Sequence, residues 1–195
     1  MNTLKIRLTG LRPLVLHNGL LADPTNPIVV KQKAITAKKN KKTDSDNLEL
    51  SWLEWYGGLY LNNKKEIVMP SDNIERCIQL GAQKQRLGKD FAAGVFMTEP
   101  EVLIQHPAIN GRKLTDLYED PDSRFTLRKG VVIQKNRIIR VRPMIPTGWT
   151  LECTLEYDDT LVNERSLKRA LLDAGTYVGL GDWRPKFGRF THEIL

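Results

Sequence analysis

Leu4, Ile6 and Leu8 alternate with Lys5, Arg7 and Thr9, the two-residue period of a half-buried strand, so residues 3–11 are predicted as the first strand. Gly10, Pro13, Asn18, Gly19, Pro24 and Pro27 then punctuate the chain too often for continuous helix or sheet and predict a loop. Lys31, Lys33, Lys38, Lys39, Lys41 and Lys42 follow with few apolar partners, which suits either a solvated, mobile arm or a solvated helix face. Thr43 or Asp44 can cap a helix whose Leu48, Trp52 and Tyr56 share one face and which ends at Gly57-Gly58.

A short strand is predicted at Glu66–Met69. Next comes a helix with Asp72 as N-cap, Glu75 in capping-box spacing, and a buried stripe of Ile74, Cys77, Ile78 and Gly81. Between Leu87 and Ser123 only Glu101–Gln105 reads clearly, as a strand. From Phe125 to Tyr157 the segments FTLRKGVVI, NRIIRVRPMI and TLECTLEY predict three strands joined as hairpins. Asn163 opens a helix with Leu167, Ala170, Leu171, Ala174 and Val178 at helical spacing, Gly179 stops it, and Phe187–Leu195 reads as a last strand. The order strand, helix, strands, helix, strand predicts an α+β chain. Its sheet is a ferredoxin-like, RRM-like antiparallel one with two helices on one face. We expect one domain over 1–195, with a basic insertion at about 28–60 and a β-hairpin region at about 124–158.

Charge sharpens this picture. Thirty Lys and Arg face 23 Asp and Glu, a net charge of +7, which gives an attractive field for polyanions. With 41% hydrophobic and 27% charged residues the chain is neither disordered in character nor membrane-like. No run approaches the roughly 18 apolar residues of a membrane span, and the first residues alternate where a signal peptide would not. We therefore expect a cytoplasmic protein without a membrane partner. Cys77 and Cys153 stand apart from any Cys/His cluster, so buried free thiols are expected, with no metal and no cofactor.

The densest candidate chemistry lies in GLGDWRPKFGRF, residues 179–190, where Gly179, Gly181 and Gly188 surround Trp183, Arg184, Lys186 and Arg189. Glycines let backbone approach a ligand, main-chain N–H groups can face phosphates, and the cations neutralise them. Taken alone, the same residues also describe a helix cap and a tight turn into an edge strand. A second basic set comprises Arg124, Arg128, Lys129, Lys135, Arg137, Arg140 and Arg142, with few acids beside it. Arg140 and Arg142 project from one face of their strand, either towards a phosphate backbone or simply towards solvent. Among Trp52, Trp55, Trp149 and Trp183, only Trp183 lies among cations as a base-stacking residue would. His17, His106 and His192 show no metal spacing, and His17 is the one weak candidate for a catalytic residue. Asp116, Glu119, Asp120 and Asp122 read as a solvated turn sooner than a cation site.

Three segments together resemble the RAMP superfamily, which includes the RNA-coating backbone subunits of CRISPR effector complexes. These are LKIRLTGLRPLVLHNG, an opening strand running into a Pro-Leu turn; VMPSDNIERCI, a Pro-Ser turn starting a helix; and GLGDWRPKFGRF, a glycine-rich loop with Arg before the final strand. VRPMIP and the last segment are also similar to small RAMP-like proteins encoded by bacteriophages. The resemblance implies a modified RNA-recognition fold, backbone binding to single-stranded RNA, and side-by-side assembly. The chain departs from the family in being short and in lacking an evident thumb-like insertion.

The expectation is thus a non-enzymatic, phage-encoded protein in the cytoplasm of a bacterial host cell that binds single-stranded RNA, more than DNA, along its backbone. The binding residues would be Lys38, Lys39, Lys41, Lys42, Arg128, Lys129, Arg137, Arg140, Arg142, Trp183, Arg184, Lys186 and Arg189. Two other readings stay open: an interaction protein that docks on itself or on a host defence complex, and a metal-independent endoribonuclease using His17.

Overall fold

The computed structural model describes residues 1–133 and 135–195, apart from the side chains of Asn40, Ile133 and Asn136. Among these it places β1 (Asn2–Gly10), β2 (Leu14–Val15), β3 (Val68–Pro70), β4 (Val95–Met97), β5 (Glu101–Leu103), β6 (Thr126–Ile133), β7 (Asn136–Ile145), β8 (Thr150–Tyr157) and β9 (Phe190–Ile194). The helices are α1 (Pro27–Thr36), α2 (Asp44–Gly57), α3 (Ser71–Ala82), α4 (Gly88–Gly94), α5 (Leu114–Tyr118) and α6 (Glu164–Asp173), the last running on into a π-helical turn, Ala174–Val178. The chain is α+β, and its registered strand pairs are antiparallel. It divides into two compact units, one of residues 1–14, 61–110 and 145–195, the other of 15–60 and 111–144. Of the two regions expected from sequence, that at about 28–60 lies in the second unit, while that at about 124–158 is divided, 124–144 in the second unit and 145–158 in the first.

In the first unit a four-stranded sheet runs in the order β4-β8-β1-β9. Strand β1 meets β8 from Asn2↔Tyr157 to Thr9↔Thr150 and meets β9 from Ile6↔Ile194 to Gly10↔Phe190. The alternation read in β1 holds: Ile6 and Leu8 are fully buried. They share a core with Leu151 and Leu155 of β8, Ile74 and Cys77 of α3, and Leu167 and Leu171 of α6, all 0% exposed. Burying such side chains contributes about 1.5–3 kcal/mol each, and that term is what holds α3 and α6 on the sheet. The two helices approach so closely that a Cβ on Gly81 would overlap the Ala170 carbonyl oxygen. The opposite face of the sheet is polar, and there Arg7 binds Glu152 at 2.7 Å and Glu193 at 3.1 Å. The two cations of β1 on this face, Lys5 and Arg7, are thus both beside carboxylates of the protein.

Several expectations need correction. Asp72 does not cap α3. That helix begins two residues earlier, at Ser71 after Pro70, which offers no capping side chain, and Glu75 instead accepts the Met97 N–H at 2.6 Å. The predicted stripe of Ile74, Cys77, Ile78 and Gly81 is buried as expected. In the last hairpin region β6 and β7 pair, but β8 leaves them to join β1 and β4. The turn before β8 has Gly148 at φ +93° and its N–H donated to the Gly10 carbonyl, which delivers β8 to β1. The final strand is shorter than predicted, because 187–189 belong to the preceding loop.

In the second unit the lysine-rich stretch is helix α1 through Thr36, followed by a 3-10 turn at Lys39–Lys41. Thr43 caps α2, with Asp46 completing a capping box. The buried face of α2 is Leu53 and Trp55, not Leu48, Trp52 and Tyr56; Leu48 is 69% exposed. Trp55 is drawn inward because its indole N–H donates to the Phe125 carbonyl at 2.8 Å, a partner far away in sequence. Trp52 and Tyr56 form a half-buried rim, Trp52 stacking on both Trp55 and Tyr56.

Candidate functional site

At one end of the first unit the three segments that carry the family resemblance come together. The Gly179–Arg189 loop packs on the turn after β1: the Gly188 N–H donates to the Pro13 carbonyl at 2.8 Å, and the Leu11 and Arg12 N–H groups both donate to the Arg189 carbonyl, at 2.7 and 3.2 Å. Helix α3 meets the same loop, with the Cys77 thiol donating to the Gly179 carbonyl at 3.2 Å. Burial pushes that thiol up to about 12, a shift that the nearby Arg184 charge opposes. Beneath the turn, buried Trp149 donates its indole N–H to the Arg12 carbonyl at 2.9 Å.

The loop is held by its own backbone. Gly179, Gly181 and Gly188 have φ of +78°, +77° and +70°, values that glycine adopts without strain. Leu180 N–H donates to the Gly188 carbonyl at 2.9 Å and Phe187 N–H to the Trp183 carbonyl at 3.3 Å. Trp183, at φ +52°, donates its N–H to Asp182 Oδ1 at 2.9 Å. A Cβ on Gly188 would run into the Leu180 carbonyl oxygen. The glycines therefore serve close backbone packing, and several of the N–H groups expected to face phosphates already have partners. What the loop presents outward is side chain: Arg184 and Lys186 are exposed, Arg189 and Trp183 partly so, and the Trp183 ring lies 6.4 Å from that of Phe187.

Arg12 joins this group and was not singled out from sequence. Its signal was its place in the turn after β1, but only the fold sets it beside Arg189. Residues 11–13 and 179–189 carry four cations, Arg12, Arg184, Lys186 and Arg189, against one carboxylate, Asp182. Among the described residues none of the four cations is in an ion pair.

The basic residues of the second unit are more committed to their own neighbours. Arg140 and Arg142 share Glu54 Oε1, at 3.0 and 3.2 Å, and Arg142 is 8% exposed. The expectation that this stretch lacks acidic partners is thereby corrected, since Glu54 reaches it from α2. Lys38 binds Asp46 at 2.5 Å, whereas Lys39 and Lys41 are exposed and Lys42 is half-buried. Arg128 donates to Ser51 Oγ at 2.7 Å and lies 5.8 Å from the Tyr118 ring centre; Lys129 and Arg137 are exposed on the β6–β7 hairpin. Asp120 is no solvated turn residue. Its carboxylate is buried between Arg124, at 2.8 Å, and Arg112, at 3.0 Å. Hydrogen bonds from Arg124, and then Arg112, hold it well below the usual carboxylate range against the opposing effect of burial.

Among the described residues no cluster of three His, Cys, Asp or Glu side chains could hold a metal ion, and no helix is long and apolar enough to cross a membrane. His17 is exposed, and its carbonyl accepts the Tyr60 hydroxyl at 2.9 Å. His106 accepts the Ala108 N–H through Nδ1 at 3.1 Å, while His192 is partly buried on β9. No protein-family profile matches this chain, and no curated protein matches it.

Proposed function

We propose that this chain is a non-enzymatic protein that binds the backbone of single-stranded nucleic acid, RNA in preference to DNA. The grip would be the cationic end of the first unit, formed by Arg12, Arg184, Lys186 and Arg189, with the partly exposed Trp183 among them. The observation that carries this reading is the meeting of three segments far apart in sequence, the turn after β1, the middle of α3 at Cys77 and the Gly179–Arg189 loop, beneath one basic surface. The strand order supports a ferredoxin-like assignment. Taken in chain order β1, α3, β4, β8, α6 and β9 follow a β-α-β-β-α-β path, and the sheet order β4-β8-β1-β9 is that of the ferredoxin-like, RNA-recognition class. A RAMP-like protein of phage origin fits this combination. The polar, internally paired open sheet face directs the reading to the loop end instead of to stacking across the sheet.

The test is fluorescence anisotropy of single-stranded RNA and DNA oligonucleotides with wild type and with Arg184→Glu/Arg189→Glu. Binding to RNA above DNA that the variant loses by tenfold or more is the expected result. Cleavage of the RNA during the titration would instead favour the endoribonuclease reading, and its loss in His17→Ala would place it at His17.

A second reading has its own observation. Val132 and Ile139 are 68% and 60% exposed, and pairing of Val132 with Arg137 and of Gly130 with Ile139 puts them on one face of the β6–β7 hairpin. An apolar pair on one face of a hairpin whose strand β6 is a sheet edge suits docking on a protein, another copy or a host defence complex. Absence of oligonucleotide binding together with concentration-dependent self-association would favour it.

A further inference from the structure

The loop just described joins α6 to β9, and the surface between those two elements is itself basic. An open cavity of about 830 Å³ lies there, lined among others by Asn163, Arg165, Ser166, Lys168, Arg169 and His192. No carboxylate is among the lining residues. Arg169 is tethered through Nε to Asp173 Oδ2 at 3.1 Å, and Asp173 is 2% exposed. The buried carboxylate therefore fixes one edge of the guanidinium, and among the described residues its terminal amino groups have no protein acceptor. Arg165 is exposed and, among the described residues, makes no ion pair. The Lys168–Glu164 pair at 2.5 Å is exposed on both sides, so it yields readily to a competing anion. Asn163 caps α6 through its side-chain oxygen, accepting the Ser166 N–H at 2.9 Å, which leaves its amide N–H₂ as a donor at the positive end of the helix. His192 completes the lining from β9, and burial lowers the pKa of its imidazole from the ordinary value.

The cationic surface continues past the cavity. Gln85 donates to the Ser166 carbonyl at 3.1 Å, tying the 3-10 turn after α3 to α6, and Lys84 lies over the exposed Tyr177 ring. We propose that the cavity between α6 and β9 is a second phosphate-binding surface, which carries a single-stranded nucleic acid beyond the nucleotides held at the Gly179–Arg189 loop. A strand leaving the loop along its flanks, α6 and β9, reaches this groove at His192 of β9 and the first turns of α6. The inference rests on the loop reading, and the experiment separates the two.

Anisotropy is measured with single-stranded RNA of about 5 and about 16 nucleotides, near the two ends of the range that a single small binding fold covers. The proteins are wild type, the loop variant Arg184→Glu/Arg189→Glu, and the groove variants Arg165→Glu/Lys168→Glu and Arg165→Gln/Lys168→Gln. Wild type is expected to bind the long oligonucleotide more tightly than the short. The charge-reversed groove variant should bind the short one as wild type does and lose about tenfold on the long one. The neutral groove variant should lose less, with its salt slope reduced by about 1.4 for two phosphates. The loop variant should lose both. Equal affinity of wild type and groove variants for the long oligonucleotide, with binding otherwise intact, overturns this inference alone. No binding of either length by wild type overturns the loop reading and this inference with it.

Discussion

Two residues show how far single side chains govern this molecule. Gly188 sits at φ +70° with the Leu180 carbonyl where a Cβ would be. Gly188→Ala should therefore cost about 3 kcal/mol or more, from left-handed strain plus the clash, measured as a loss of stability in urea unfolding; a change below about 0.5 kcal/mol would contradict the packing described. Asp120, between Arg112 and Arg124, makes a pH prediction. Its pKa is lowered on folding, so its stabilising contribution is complete above the unfolded carboxylate range and lost as pH falls towards the folded value. Asp120→Asn should lower the melting temperature by several degrees at neutral pH, and the gap to wild type should narrow below about pH 4; a gap constant with pH would count against the pairing. Sequence showed that residues 179–189 were unusual, because glycines and cations are visible one by one. It could not show what the glycines are for, since Gly188 answers to a carbonyl eight residues away. Nor could it find Arg12 or the Glu54 partner of Arg142, which are set by contacts between separate segments.

At the scale of elements, the ones legible in advance were those whose pattern is local. Strand β1 announced itself by strict alternation, α6 by its stripe of Leu167, Ala170 and Leu171, and the start of α2 by the capping residues Thr43 or Asp44, of which Thr43 is the cap and Asp46 completes the box. The Thr43 hydroxyl accepts the Asp46 N–H at 3.2 Å and the Asp46 carboxylate accepts the Thr43 N–H at 2.9 Å. Removing this cap in Thr43→Ala should cost about 1 kcal/mol, read from the urea midpoint at unchanged m-value. The elements misread were those decided by partners elsewhere. The face of α2 was assigned from the spacing of Leu48, Trp52 and Tyr56, but Phe125 recruits Trp55 to the interior. Strand β8 looked like the third strand of a meander, but its buried positions Leu151, Cys153 and Leu155 complete the face of β1. The strand pattern alone carries no information about which sheet a strand joins.

For the whole molecule, a net charge of +7 says little until it is divided between paired and unpaired cations. Arg7, Arg112, Arg124, Arg140 and Arg142 are spent on Glu152, Asp120 and Glu54. Among the described residues Arg12, Arg184, Lys186 and Arg189 are in no ion pair, and they stand where the turn after β1, α3 and the Gly179–Arg189 loop meet. The account accordingly predicts that polyanion binding is concentrated at this end of the first unit and is not spread evenly over the basic surface. The most direct measurement is the dependence of single-stranded RNA affinity on salt, for wild type and for Arg184→Gln/Arg189→Gln. Neutralising three or four phosphates gives a log–log slope of about −2 to −3, and deleting two contacts should reduce its magnitude by about 1.4. A wild-type affinity indifferent to salt, or a variant with the wild-type slope, would contradict the claim that these arginines grip the backbone.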